Sequence, residues 1–286
     1  MEFRFFLPRL LPSEDSAISL LHQKYNAILS SLLADFHDGS GSLPEKREDI
    51  YLIGNAHFGA KFRAGKKLEV KIRQKKLDLN IEQWKKFKFG KKNVSHYKDD
   101  IIQLIAEEAD QHLPDDVKLI EAEKFLNVQK VRKIQLSDEI SKELCTISSS
   151  GDSRQWVSVA IEGSLEDIRL FLNSQKSETR RDVVLMLEAL QTAVEIARSD
   201  SFSQDAVVTT FIPVVSGYPT WVRVASRNAC DPKEISEILS DVDALLSALA
   251  FSNTPASSTD GGESRDLKSS STPPANSDYC SCLKIC

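Results

Sequence analysis

The sequence lacks any run of about 18 apolar residues, so no membrane-spanning helix is expected. Its first eleven residues carry Glu2, Arg4 and Arg9, which does not suit a secretory leader. There is no Gly-x-x-x-x-Gly-Lys-Ser/Thr phosphate loop and no Gly-x-Ser-x-Gly nucleophile elbow. His22, His37, His57, His96 and His112 form no His-x-x-x-His pair, so ordinary histidines are expected. Cysteine is sparse: Cys145 and Cys230 stand alone, and Cys280, Cys282 and Cys286 crowd the C-terminus without metal-ligand spacing. No cysteine stands fourth from the end, so a prenylation box is excluded. Acylation of the terminal cluster, with membrane association through the tail, and a free tail without a role are both open. These absences point to a reduced, intracellular, cytoplasmic chain.

What is present is an ordinary globular balance, 41% hydrophobic and 28% charged over 286 residues. Residues 252–276 are rich in Ser, Thr, Pro and Gly and nearly free of large apolar side chains. Such a segment cannot offset its ordering entropy, so 252–286 is expected to be a disordered tail and 1–251 the folded domain. The net charge of −5 argues against a general nucleic-acid binder, and no DNA partner is expected. Residues 61–100, however, hold 14 Lys and Arg against 5 Asp and Glu. A basic block in an acidic chain suggests an anion site. For Lys85 to Lys92 taken alone, a solvated lysine-rich loop fits equally well.

Periodicity predicts short strands and amphipathic helices. Residues 2–7 read as a strand and Ser13 to Phe36 as a helix, with apolar positions at Ile18, Leu21, Tyr25, Ile28 and Leu32. Strands follow at Tyr51–Ile53, Phe58–Arg63, Leu68–Arg73, 81–89, Phe125–Leu136 and Gln155–Glu162. The spacing at 99–108, 180–198 and 232–250 is helical, and Val207–Val215 and Trp221–Val224 read as two more strands. Strand side chains alternate with a period of two. Phe62, Leu68, Val70 and Ile72 therefore share one face, and Lys61, Arg63, Glu69, Lys71 and Arg73 the other. Lys130 and Arg132 repeat the basic spacing. Two readings fit these pairs: the solvent side of a half-exposed sheet, or a buried face that needs anions to offset its charge. Glu69 and Glu162 are the best internal partners, and a multiply charged phosphate ligand would balance the rest. Trp84 and Trp156 fit core positions better than ligand stacking.

The order of these motifs resembles the CYTH superfamily of triphosphate tunnel enzymes, which includes CyaB-type adenylate cyclases and thiamine triphosphatases. The resemblance rests on Glu2-Phe-Arg4-Phe-Phe6, a helix, Asp49-Ile-Tyr51, Lys61-Phe-Arg63, Glu69-Val-Lys71-Ile-Arg73, Lys130-Val-Arg132, Glu162 and Tyr218-Pro219. It covers roughly residues 1–230. It implies an α+β fold: a closed antiparallel β-barrel, or tunnel, flanked by helices. It also implies binding, and metal-dependent hydrolysis, of a triphosphate or other polyphosphorylated compound. Arg4, Lys61, Arg63, Lys71, Arg73, Lys85, Lys130 and Arg132 would hold the phosphates, with Glu69 and Lys71 as the catalytic pair. Glu2, Glu69 and Glu162 would ligate Mg or Mn. The sequence departs from the family's opening Glu-x-Glu-x-Lys, with Arg4 at the second Glu and Phe6 at the Lys. Hard cations want several oxygen ligands, so this loss favours an inactive polyanion-binding module or a tail-tethered interaction protein as the alternative.

Overall fold

Alternating charged and apolar residues suit a sheet that closes on itself, with the charged face lining the inside and the apolar face outside, and this sheet closes. The structure is a computed structural model that describes residues 1–9, 20–38, 43–53, 56–63, 67–88, 125–137, 139–150, 152–174, 177–200, 212–226 and 232–251. All of them belong to one compact unit, Met1–Asn253. The expected helix at 99–108, Cys230, the tail with its cysteines, and most of the strand expected at Val207–Val215 lie outside the described residues.

The strands are β1 (Glu2–Arg9), β2 (Glu45–Leu52), β3 (Phe58–Arg63), β4 (Lys67–Lys76), β5 (Glu82–Lys88), β6 (Phe125–Leu136), β7 (Ile140–Ser149), β8 (Asp152–Gly163) and the two-residue β9 (Val214–Val215). Their order is β5-β4-β3-β2-β6-β7-β8-β1, every neighbour antiparallel, and β1 pairs with β5 through Glu2 opposite Glu82. Eight strands thus form a closed barrel, the size at which side chains fill the interior. β9 adds to the outer edge of β1 at Phe5 and Phe6. The helices are α1 (Leu20–Asp38), α2 (Leu165–Leu172), α3 (Ser177–Asp200), α4 (Tyr218–Ala225) and α5 (Pro232–Phe251). No helix among the described residues is long and apolar enough to cross a membrane.

Outward-facing Phe3, Phe5 and Leu7 of β1 and Val157, Val159 and Ile161 of β8 pack against α1, α3 and α5. The β3–β4 wall carries its own apolar outer face, from Phe58, Phe62, Leu68, Val70 and Ile72. Tyr25 of α1 donates a hydrogen bond to the Pro8 carbonyl at 2.8 Å, tying the helix to the end of β1. α2 begins with a capping box in which Ser164 and Asp167 satisfy each other's backbone N–H groups.

One expectation is corrected. Trp221–Val224 is not a strand but part of α4. Tyr218, Trp221, Val222 and Ala225 are all buried, and their spacing is that of one helix face. The short apolar run Trp221-Val-Arg-Val224 reads as a strand by composition, but Gly217 as N-cap and Pro219 in the first turn start a helix. α4 plugs the barrel: Trp221 stacks on Phe6 of β1 (centroids 5.2 Å apart) and meets Trp156 of β8 edge-on at 6.1 Å. The interior is therefore apolar on one side of this plug and charged on the other.

Candidate functional site

The charged part of the lumen follows from strand parity. In β2 the inward positions are Arg47, Asp49 and Tyr51; in β3 they are Gly59, Lys61 and Arg63; in β4 they are Glu69, Lys71 and Arg73. In β6 to β8, Lys130, Arg132, Glu143, Ser158 and Glu162 point the same way. A cavity of about 150 Å³ opens among them, with the Tyr218 ring of the plug as its floor. Seven basic side chains line it: Arg4, Arg47, Lys61, Arg63, Lys71, Lys86 and Arg132. Three carboxylates do, Glu69, Glu143 and Glu162.

The walls divide by charge. On one side, Glu2 accepts from Arg4 Nε at 2.6 Å and from Lys71 Nζ at 2.7 Å. Arg4 also reaches Glu143 at 2.9 Å and Ser158 at 3.0 Å, and Glu143 bridges on to Arg132 at 3.0 Å. Burial pushes the Glu2 carboxyl up, but Lys71 and Arg4 outweigh it and hold it well below the usual carboxylate range. Burial likewise raises Glu143, and Arg4 with Lys130 and Arg132 brings it down to about 2. On the other side, the fully buried Asp49 sits among Arg47 (3.1 Å), Lys130 (3.3 Å) and Lys61 (3.9 Å). Glu69 sits between Arg63 (3.1 Å) and Lys61 (3.5 Å). Burial lowers the Lys61 ammonium to about 8, with Lys71 and Arg47 adding to the effect against Asp49 and Glu69. Burial, with Lys61 nearby, brings Lys130 well below its ordinary value. Its Nζ lies 3.6 Å from the Tyr218 ring centroid, beneath the cavity floor.

The structure sorts the phosphate-binding candidates. Arg4, Lys61, Arg63, Lys71 and Arg132 line the cavity, and Lys130 lies under it. Arg73 does not join them. It pairs with Glu82 at 2.8 Å and lines a second cavity of about 460 Å³ between β4, α4 and α5. Lys85 stands apart from the cavity: it shares the outward parity of Ile72 and Phe87, and its neighbour Lys86 faces the lumen. A one-residue error in a strand turns every side chain to the opposite face.

Sequence reasoning missed Arg47, Asp49, Glu82 and Glu143 as lumen residues. Glu45–Asp49 is too charged to suggest a strand by propensity, although its alternation continues from Tyr51. β7 carries few β-branched residues and was not expected. Glu82 accepts from Arg73, the Trp84 indole, Ser216 and the Gly217 N–H, so it anchors the plug to β5.

Glu2, Glu69 and Glu162 do not suit a divalent ion as they stand. Glu2 is taken up by Arg4 and Lys71, and Glu69 by Lys61 and Arg63. Among the described residues no three carboxylate, histidine or cysteine side chains are grouped to hold a metal.

No family model and no curated protein matches the chain. Solved structures do. A conserved hypothetical protein of Pyrococcus furiosus matches at 13% identity over 67% of this chain and 91% of its own, with a TM-score of 0.30. A Pyrococcus horikoshii protein matches at 12% identity over 66% and 90%, with a TM-score of 0.33. A candidate adenylate cyclase of Bacillus halodurans matches at 15% identity over 67% and 87%, with a TM-score of 0.28. The chain is similar to these proteins at a level that carries no argument about chemistry, which rests on the lumen itself.

Proposed function

We propose that the barrel lumen binds a polyphosphorylated anion, such as a triphosphate chain, and holds it without turning it over. The observation that carries this reading is the imbalance of the cavity wall, seven basic side chains against three carboxylates. Asp49 and Glu69 are shared among Arg47, Lys61, Arg63 and Lys130, so each of these cations is only partly offset, and burial brings the Lys61 ammonium down to about 8. An anion with several charges would relieve Arg47, Lys61, Arg63 and Lys86 together. The motif order shared with the CYTH superfamily supports the same reading. The cavity volume of about 150 Å³ limits the ligand. Sites for drug-sized molecules span roughly 300–1,000 Å³, so the phosphate chain fits and an attached nucleoside would remain outside.

Binding rather than hydrolysis is favoured because the expected catalytic pair is already engaged. Glu69 is held by Arg63 and Lys61, and Lys71 by Glu2. Tripolyphosphate should raise the melting temperature, since a ligand of the native state alone stabilises it. Arg63→Ala, which removes a cation at the cavity rim, should weaken binding about tenfold, the worth of a charge-assisted hydrogen bond. No thermal shift at large excess of tripolyphosphate removes the reading. Phosphate release that Glu69→Gln abolishes while binding persists replaces it with an enzymatic one.

A further inference from the structure

Arg4 is 3% exposed and stands among three carboxylates from three strands: Glu2 of β1 at 2.6 Å, Glu143 of β7 at 2.9 Å and Glu162 of β8 at 3.7 Å. Each carboxylate faces a different nitrogen of the guanidinium, so the three acidic side chains surround one cation without being grouped closely enough to share a metal ion as they stand. The charges on this wall also close without help: Glu2, Glu143 and Glu162 face Arg4, Lys71 and Arg132. The donors of Arg4 are not exhausted. Nε serves Glu2 and Nη1 serves Glu143 and Ser158, but Nη2 lies 3.7 Å from Glu162, beyond hydrogen-bonding range. Arg4 lines the cavity, and its guanidinium carbon stacks 4.7 Å from the centroid of the Tyr218 floor.

We infer that Arg4 is a tethered cation standing in the place of a divalent metal: with Lys71 and Arg132 it neutralises Glu2, Glu143 and Glu162, and it leaves its Nη2 edge for an incoming anion. A fixed guanidinium cannot supply an activated water, as a metal ion can. It can, however, hold the acidic wall neutral so that a polyanion is not repelled. This rests on the binding reading above only for the identity of the anion. The exchange of metal for arginine is independent of it.

Two sets of measurements test the inference. Mn2+ binding is followed by the loss of the free-ion electron paramagnetic resonance signal. The wild-type protein should take up no Mn2+ at the lumen, and stoichiometric uptake that Glu143→Gln removes overturns the inference. Arg4→Ala and Arg4→Gln free the three carboxylates and should gain Mn2+ affinity by at least about tenfold, what one competing charge-assisted hydrogen bond is worth. Adding Glu143→Gln and Glu162→Gln to either variant should remove the gain, and a variant that gains nothing overturns the proposal. If Arg4→Ala unfolds in chelator, recovery of its circular dichroism on adding Mn2+ is the same gain. Failure of both variants to fold with or without Mn2+ also overturns it, because the carboxylates then cannot take a metal in place of Arg4. In the second set, tripolyphosphate binding to the wild type should persist in excess chelator, and binding lost on chelation counts against Arg4. Absence of tripolyphosphate binding under every condition refutes the binding reading, while the Mn2+ measurements still judge Arg4.

Discussion

Asp49 and Lys61 face each other at 3.9 Å in one wall of the lumen. Asp49 is fully buried and is the shared counter-charge of Arg47, Lys130 and Lys61. Asp49→Asn keeps the shape and removes the charge, leaving the 2%-exposed Lys130 without its carboxylate partner and Arg47 with only the more distant Glu45 (3.8 Å). Breaking a buried pair in this way costs about 3–5 kcal/mol, so a matching fall in denaturation free energy is expected. A value near zero would mean that Asp49 does not hold these cations. Lys61 makes the second prediction. Burial and the neighbouring cations bring its ammonium from 10.5 to about 8, so the native state binds fewer protons than the unfolded chain between those values. Stability from this group therefore rises with pH across that window. Anion binding runs the other way, since it needs the charged form. Tripolyphosphate affinity should fall as pH rises through about 8, and Lys61→Arg, which stays charged, should flatten that dependence. An unchanged profile in Lys61→Arg would separate Lys61 from the ligand.

At the scale of elements, the plug depends on two glycines. A Cβ at Gly217 would stand 2.8 Å from the Trp84 ring and 2.9 Å from Glu82 Oε2, at the N-terminus of α4. A Cβ at Gly59 of β3 would stand 2.7 Å from the Pro219 ring. Overpacking of this kind costs about 1–3 kcal/mol, and Gly217→Ala should lower the unfolding free energy by that amount and weaken tripolyphosphate binding through the displaced Tyr218 floor. Intact stability in Gly217→Ala would show that the plug has room to shift. The same elements mark the limits of sequence reading. β3, β4 and β6 were legible because their alternation is strong and local, and β8 because it is rich in Val and Ile. β7 and the charged start of β2 were not, because their place in the barrel comes from pairing with neighbours and not from propensity. In α4 the helical spacing was present, but tight burial on several sides gave it an apolar pattern that also reads as a strand.

For the whole molecule, the closed wall is stitched across its lumen by ion pairs between strands far apart in sequence. Arg4 reaches Glu143 across 139 residues and Lys71 reaches Glu2 across 69. Acid should therefore loosen the barrel as a unit. The folded-state pKa values of Glu2, Glu143 and Asp49 are all shifted downward, so their stabilisation is present above the ordinary carboxylate range and lost as pH falls. For Glu143 the window runs from about 4.5 down to about 2, a loss on the order of 3 kcal/mol at full protonation. Urea titrations at decreasing pH should show this decline, and Glu143→Gln should remove part of it. A flat profile would contradict the cross-lumen network.

By itself the amino-acid sequence determined the parity of the strands: Lys61, Arg63, Glu69 and Lys71 had to share a face, because side chains alternate along any extended chain. Only the tertiary structure decided that this face is the inside of a barrel, that Arg47, Lys86 and Glu143 join it, that Lys85 does not, and that the inward Arg73 lines a separate cavity. Parity is a property of neighbouring residues. Which faces meet, and which charges cancel, depends on the order, stagger and closure of strands drawn from distant parts of the chain.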